Sequence, residues 1–227
     1  MRWGMVIDLD KCTACQSCAV ACKTENNVPF ATPEQAERGH TMFWMDMLVQ
    51  VRGEYPRPRA RFIPRPCMHC DNPPCVQVCP VGATYRRPDG IVAQNYERCI
   101  GCKYCMVACP YGARSFNMGR AQEPESFQRY ANPDGRVAKR RVGIVEKCTF
   151  CFQRVDGAVA RARAEGRPLR DGEVKTACTQ TCTGGAIAFG DLDEPSSRVA
   201  RLADSPRAFR LLDELGTRPK VVYLMEG

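Results

Sequence analysis

A chain of 227 residues with a formal charge of +8 has room for one large domain or two small ones. The 44% hydrophobic fraction includes sixteen cysteines, so the apolar core proper is modest and bound metal would have to add folding energy. No run approaches the roughly eighteen apolar residues of a membrane span, and the basic runs interleaved with aromatics that mark nucleic-acid binders are missing.

The N-terminus, Met1-Arg2-Trp3-Gly4, runs straight into a dense cysteine motif, with no secretory apolar stretch and no twin-arginine signal. The expectation is a chain that stays in the cytoplasm or crosses a membrane folded, bound to a signal-bearing partner. Cys12, Cys15, Cys18 and Cys22 follow, spaced C-x2-C-x2-C-x3-C. Residues 43–51 and 59–63 read as two strands joined by a turn at 54–58. Cys67, Cys70, Cys75 and Cys79 come next, spaced C-x2-C-x4-C-x3-C. Residues 84–87 and 91–94 flank Pro88-Asp89-Gly90, which predicts a hairpin. Cys99, Cys102, Cys105 and Cys109 then repeat the first spacing.

Residues 117–139 are polar and without period, which predicts a long surface loop of the kind that serves function or is ordered by a partner. Cys148 and Cys151 open a last quartet that closes with Cys178 and Cys182 after 26 intervening residues. Inside that insertion Phe152, Val155, Val159 and Ala162 recur at helical spacing, and Gly166-Arg167-Pro168 ends the amphipathic helix. Short helices near 196–202 and 206–215 and a strand over 221–225 complete the chain.

Residues 8–23 (DLDKCTACQSCAVACK) align with residues 95–110 (NYERCIGCKYCMVACP), an internal repeat. A Gly-Ala step follows the last cysteine of three motifs, at Gly82-Ala83, Gly112-Ala113 and Gly185-Ala186, each a turn into a short strand.

Sixteen thiolates in four quartets, with none left over, match the ligand count of four [4Fe–4S] clusters. A C-x2-C-x2-C loop wraps three thiolates around one cubane. The fourth, at the start of the following helix, faces away toward the partner cluster, as in two-cluster ferredoxins. Four oxidised clusters bring roughly −8 of charge, which the basic excess offsets. A chain with four such clusters conducts electrons. Structural zinc is the rival for the last quartet, with its long gap. A disulfide scaffold suits neither the dense spacing nor the length. No nucleophile–base constellation is present. Of the two histidines, His69 lies between Cys67 and Cys70, where it would tune a potential, approach a quinone or serve as a plain polar loop group; His40 has no motif around it. Trp3 and Trp44 read as core rather than as electron relays. Arg136, Arg140 and Arg141 read as a solvated face or a docking patch.

The quartets, with PCMHCDNPPCVQVCPVGATY, RCIGCKYCMVACPYGAR, EKCTFC and FGDLDEPSSRV, resemble the four-cluster iron–sulfur subunits of the dimethyl sulfoxide reductase and polysulfide reductase family of molybdoenzymes. The long insertion and the tail TRPKVVYL are similar to the cluster-bearing part of alternative complex III. One departure stands out: Cys182-Thr183 replaces the usual Cys-Pro, with an altered local turn as the expectation.

The resemblance implies an α+β fold of two intertwined ferredoxin-like dicluster halves with peripheral hairpins, an inserted helix and a C-terminal helical tail. A tetracluster domain would span residues 1–190, its outer cluster pair from the motifs near 12–22 and 148–182 and its inner pair from 67–109. Residues 191–227 would pack on it as an extension. It implies crossed ligation: Cys12, Cys15, Cys18 and Cys182 for the first cluster; Cys22, Cys148, Cys151 and Cys178 for the second; Cys67, Cys70, Cys75 and Cys109 for the third; Cys79, Cys99, Cys102 and Cys105 for the fourth. The implied role is non-catalytic electron transfer between a membrane quinone site and a molybdopterin or tungstopterin catalytic subunit. The first cluster would face that subunit and the fourth an integral membrane quinone-binding subunit. The alternative is the same wire in a quinol-oxidising complex of the alternative-complex-III type, or in a hydrogenase. Attachment to the cytoplasmic membrane would be peripheral, through partners, and periplasmic only after co-export with a signal-bearing one.

Overall fold

A computed structural model describes residues 1–119, 132–134, 136–137 and 139–226; most of the loop expected over 117–139 lies outside the described residues. In chain order the elements are β1 (Trp3–Asp8), α1 (Ser17–Glu25), α2 (Pro33–Glu37), β2 (Asp46–Arg52), β3 (Arg59–Arg65), α3 (Pro74–Gln77), β4 (Thr84–Arg86), β5 (Val92–Gln94), α4 (Tyr104–Val107), β6 (Ser115–Phe116), β7 (Val145–Glu146), α5 (Phe152–Ala164), α6 (Ala177–Gln180), β8 (Ile187–Asp191), α7 (Arg198–Ala203), β9 (Ala208–Phe209) and β10 (Val221–Leu224). Helix and strand are mixed and short, as α+β requires.

β1 reads WGMVID and is buried at every position, because both faces of its sheet are covered. Met5 and Ile7 enter the larger core, which also holds most of the buried cysteines. Val6, one step out of phase, packs on the opposite face with Val199 of α7. β1 pairs antiparallel with β8 and parallel with β10, and β9 closes the edge, giving the order β8-β1-β10-β9. Two of these four strands therefore come from the last twenty or so described positions.

The helix expected over 206–215 does not form. Ala208 pairs with Leu224, the Phe209 ring lies 5.8 Å from that of Tyr223, and Leu212 and Gly216 adopt left-handed backbone (φ 50 and 64) around a 3-10 turn at Asp213–Leu215. Burial beside β10 outweighs the local helical pattern, so the helical part of the tail reduces to α7 and that turn. α7 itself is capped by Ser197, whose hydroxyl accepts from the Ala200 amide.

β2 and β3 pair from Asp46 opposite Arg65 to Arg52 opposite Arg59, and β4 pairs with β5 across a turn in which Gly90 has φ 82. α5 occupies the insertion. It buries Val155, Ala158 and Ala162 and packs Phe152 against the core, so the expected face holds except at Val159, which is 40% exposed, Ala158 facing inward beside it. Gly166, at φ 63, ends it: its amide donates to the Arg163 carbonyl and that of Arg167 to the Ala162 carbonyl. α2 has no counterpart in the sequence reading. Thr32 and Gln35 cap it reciprocally and Pro33 fills its first turn, a start signal that T-P-E-Q carries.

Candidate metal centres

All sixteen cysteines are free, and they fall on one plan used four times. Each quartet is a C-x2-C loop followed by a C-x3-C pair whose first cysteine lies on a short helix: Cys18 on α1, Cys75 on α3, Cys105 on α4 and Cys178 on α6. In all four loops the residue before the second cysteine has left-handed backbone: Ala14 (φ 56), His69 (φ 45), Gly101 (φ 71) and Phe150 (φ 54). That conformation curls amides toward the first sulfur; the His69 and Phe150 amides each stand 3.5 Å from Cys67 Sγ and Cys148 Sγ.

The Gly-Ala steps complete the plan at the other end. Gly82, Gly112 and Gly185 share φ 59 and each donates its amide to the carbonyl of Cys79, Cys109 or Cys182. The Ala83 and Ala186 amides then reach Cys79 Sγ and Cys182 Sγ at 3.2 Å. The Cys182 turn is thus the same as those that follow Cys-Pro, and Thr183 does not alter it. Its hydroxyl stands 3.5 Å from Cys15 Sγ. The Cys22 site differs. Without proline, α1 runs on through it to Glu25, so Cys18 and Cys22 sit one turn apart on one helix rather than Cys22 opening it, and the Asn26 side chain supplies the donor, 3.6 Å from Cys22 Sγ.

The quartets interleave in space. Cys12, Cys15, Cys18 and Cys182 line one small cavity; Cys67, Cys70, Cys75 and Cys109 line another. Cys22 is buried, and burial, then Cys148, Cys151 and Cys178, push its thiol far up. Cys99 and Cys105 share an apolar cluster with Val92 and Val145, and α3 packs on α4 beside β4. Cys15 and Cys102 alone among the sixteen are exposed. Hydroxyls of Ser17 and Thr183 lead a set of donors that pull Cys15 down to about 6, while burial and neighbouring thiols push Cys70 up to about 12.

Among the described residues, no three His, Cys, Asp or Glu side chains stand close enough to share one metal ion. A cubane holds each thiolate on its own iron, so its four sulfurs lie farther apart than four on a single zinc. The donor set fits the cluster. Buried cations fit it too, because they offset its negative charge: Lys23, Arg114, Lys147 and Lys220 are all buried. Arg114 donates to Thr84 Oγ1 and Gln94 Oε1; burial works against its charge, which Cys75 and Cys105 favour. Sequence reasoning missed these four cations. The only signal was the overall basic excess.

His69 sits in its loop, but not at the surface. It is fully buried, its Nδ1 accepts from the Val92 amide at 3.1 Å, and burial, with Lys147 and Lys220 nearby, pushes it well below the usual imidazole range. Trp3 and Trp44 are core. Arg140 is not a docking group: its side chain is 5% exposed, 3.5 Å from Glu146 and over the rings of Trp44 and Tyr96. Arg136 and Arg141 are half-exposed and paired with Asp134 and Glu97.

Two family models described as 4Fe-4S dicluster domain match residues 11–83 and 58–124. The chain is 48% identical to the menaquinone reductase iron–sulfur cluster-binding subunit of Nitratidesulfovibrio vulgaris, across 99% of this chain and 89% of that protein. It is 40% identical to the B subunit of selenate reductase from Mesobacillus selenatarsenatis, across 99% and 72%. This protein belongs to the iron–sulfur subunits of the dimethyl sulfoxide reductase and polysulfide reductase family. The B chain of polysulfide reductase from Wolinella succinogenes, 32% identical across 97% of this chain and 92% of that one, lies in the same family. As a member, the protein is a non-catalytic electron-transfer subunit of an oxidoreductase complex, with four [4Fe–4S] clusters as its cofactors. Catalytic and quinone-interacting partners belong to such complexes. Among the described residues, no helix is long and apolar enough to cross a membrane.

Proposed function

We propose that this subunit carries electrons between an integral membrane quinone-binding subunit and a molybdopterin or tungstopterin catalytic subunit. The ligand sets of the proposal are crossed: Cys12, Cys15, Cys18 and Cys182; Cys22, Cys148, Cys151 and Cys178; Cys67, Cys70, Cys75 and Cys109; Cys79, Cys99, Cys102 and Cys105. The observation that carries it is the cavity in which Cys182, more than 160 positions away in sequence, joins Cys12, Cys15 and Cys18. Bound in such sets, each cluster takes and gives one electron at a time. The chain's own residues hold the sulfurs at fixed places, aim amides at them and keep water from most of them.

Both ends of the wire are open in this reading. A groove of about 960 Å³ passes Cys15, bordered by Val20, Thr24, Arg154 and Gln180, and suits the catalytic subunit. Around Cys102, Ile100, Tyr104 and Val107 are exposed, Val107 at 83%, and suit an apolar membrane partner. The two dicluster halves are intertwined in one domain over residues 1–190. Residues 191–227 pack on it as an extension that lends β9 and β10 to its sheet. Attachment is peripheral, to the cytoplasmic membrane through the partners.

The helical insertion α5 favours a second reading, the same wire in an alternative-complex-III-like quinol-oxidising complex; a hydrogenase is its other form. Metal analysis of the intact complex, purified anaerobically from membranes, decides. About sixteen iron atoms per chain with near-stoichiometric molybdenum or tungsten is the expected result. The same iron with several covalent haems and neither metal would replace the first reading by the second.

A further inference from the structure

We propose that the stacked rings of His69 and Phe150 form the electron bridge between the second and third cluster sites, the step that crosses from one half of the protein to the other. The proposal rests on the ligand sets above. Its observations are separate from them. His69 and Phe150 occupy the same place in two C-x2-C loops, one bonded to Cys70 and the other to Cys151. Their ring centroids are 3.7 Å apart with planes inclined by 21°. The matching places in the other two loops hold Ala14 and Gly101, and no rings meet there. The stack is therefore the point where a loop of one half touches its counterpart in the other.

Both rings are fixed. His69 and Phe150 are buried to 0% and 1% exposure, so no water-filled gap interrupts the contact. The Val92 amide orients His69 through Nδ1; Lys147 Nζ donates to the Val92 and Cys148 carbonyls and so ties the two loops to β5. The Phe189 ring meets Phe150 edge-on at 5.2 Å, and Trp3 stacks on Phe189 at 5.4 Å.

Simple space-filling explains this arrangement poorly. An aliphatic side chain would fill the core without burying an imidazole whose Nε2 makes no full hydrogen bond. Bulky residues in left-handed backbone each cost about 1–2 kcal/mol, a strain that concentrates at functional positions. In the step itself one electron leaves one site and one arrives at the other. No bond forms or breaks and no proton moves.

The test uses the intact complex with His69→Leu, His69→Phe and Phe150→Leu. Iron content and cluster midpoint potentials are measured first. A light-generated reductant then delivers electrons, and rapid-freeze EPR follows their equilibration between clusters. The expected result is full iron, unchanged potentials, severalfold slower equilibration between the halves in both Leu variants, and recovery in His69→Phe. Equal equilibration times at full iron overturn the proposal. So does a shifted potential at unchanged rate, which makes the ring a tuner, or loss of iron in all three variants, which makes the stack an assembly contact. Low iron in the unsubstituted complex fails the four-cluster reading instead, and is seen before any variant is compared.

Discussion

A methyl group on Gly184 would run into the Lys11 carbonyl oxygen, a backbone atom that cannot step aside without moving Cys12. Gly184 lies in the turn after Cys182, so this narrow clearance is what lets the last turn of the cysteine plan close on the first loop. Gly184→Ala should part Cys182 from Cys12, Cys15 and Cys18. Iron should fall from about sixteen toward about twelve per chain, with one set of reduced-cluster EPR signals lost and the others kept. Full iron in this variant would contradict the crossed set. At this scale the cysteines were wholly legible, because ligand spacing is written along the backbone itself. Thr183 was legible as a departure but not in its effect: the turn depends on Gly185 at φ 59, which is present whichever residue follows Cys182. The burial of His69, Arg114, Lys147 and Lys220 was not legible, since it depends on which loops meet.

Among the elements, β10 is held by more than its ladder. The Lys220 amide donates to the Met68 carbonyl, its carbonyl accepts from Met5, and its Nζ bonds the Gly90 carbonyl and lies 3.2 Å from Asp71. Burial lowers this lysine's pKa while Asp71 opposes the shift, so the ammonium survives in the core by being paired. Lys220→Met keeps an unbranched side chain one atom shorter, but strands the Gly90 carbonyl and weakens Asp71, which retains Arg2 at 3.1 Å. The loss should be about 2 kcal/mol, read as a lower thermal midpoint of the loaded protein at unchanged iron content. An unchanged midpoint would mean that the tie contributes nothing. The strand over 221–225 was legible from VVYL, and the hairpin at 84–94 from its Pro-Asp-Gly turn. The place of β10 between β1 and β9 was not, because a strand's neighbours are set by tertiary packing. The same packing converts the expected helix at 206–215 into β9.

For the whole molecule, burial and crowding of thiols set a pH dependence. Cys18 is pushed up to about 11 and Cys148 to about 12, in each case by burial first and then largely by nearby thiols. Near neutrality the iron-free chain therefore keeps protons that cluster binding must displace. Loading releases protons, so it strengthens as pH rises toward that window and weakens as pH falls. Against a fixed chelator, iron retention should be greater at about pH 8 than at about pH 6; a flat profile would mean that the buried thiols are already ionised without iron.

Met5 pairs with Val221, 216 positions along the chain. A ribosome working at about 5–20 residues per second needs some ten seconds or more to make that span. While all sixteen cysteines emerge β1 lacks both of its neighbours, and after β8 is made it still lacks β10, so the interior behind it stays unsealed. Late closure by β10 thus leaves an interval in which iron and sulfide can be delivered before the door shuts.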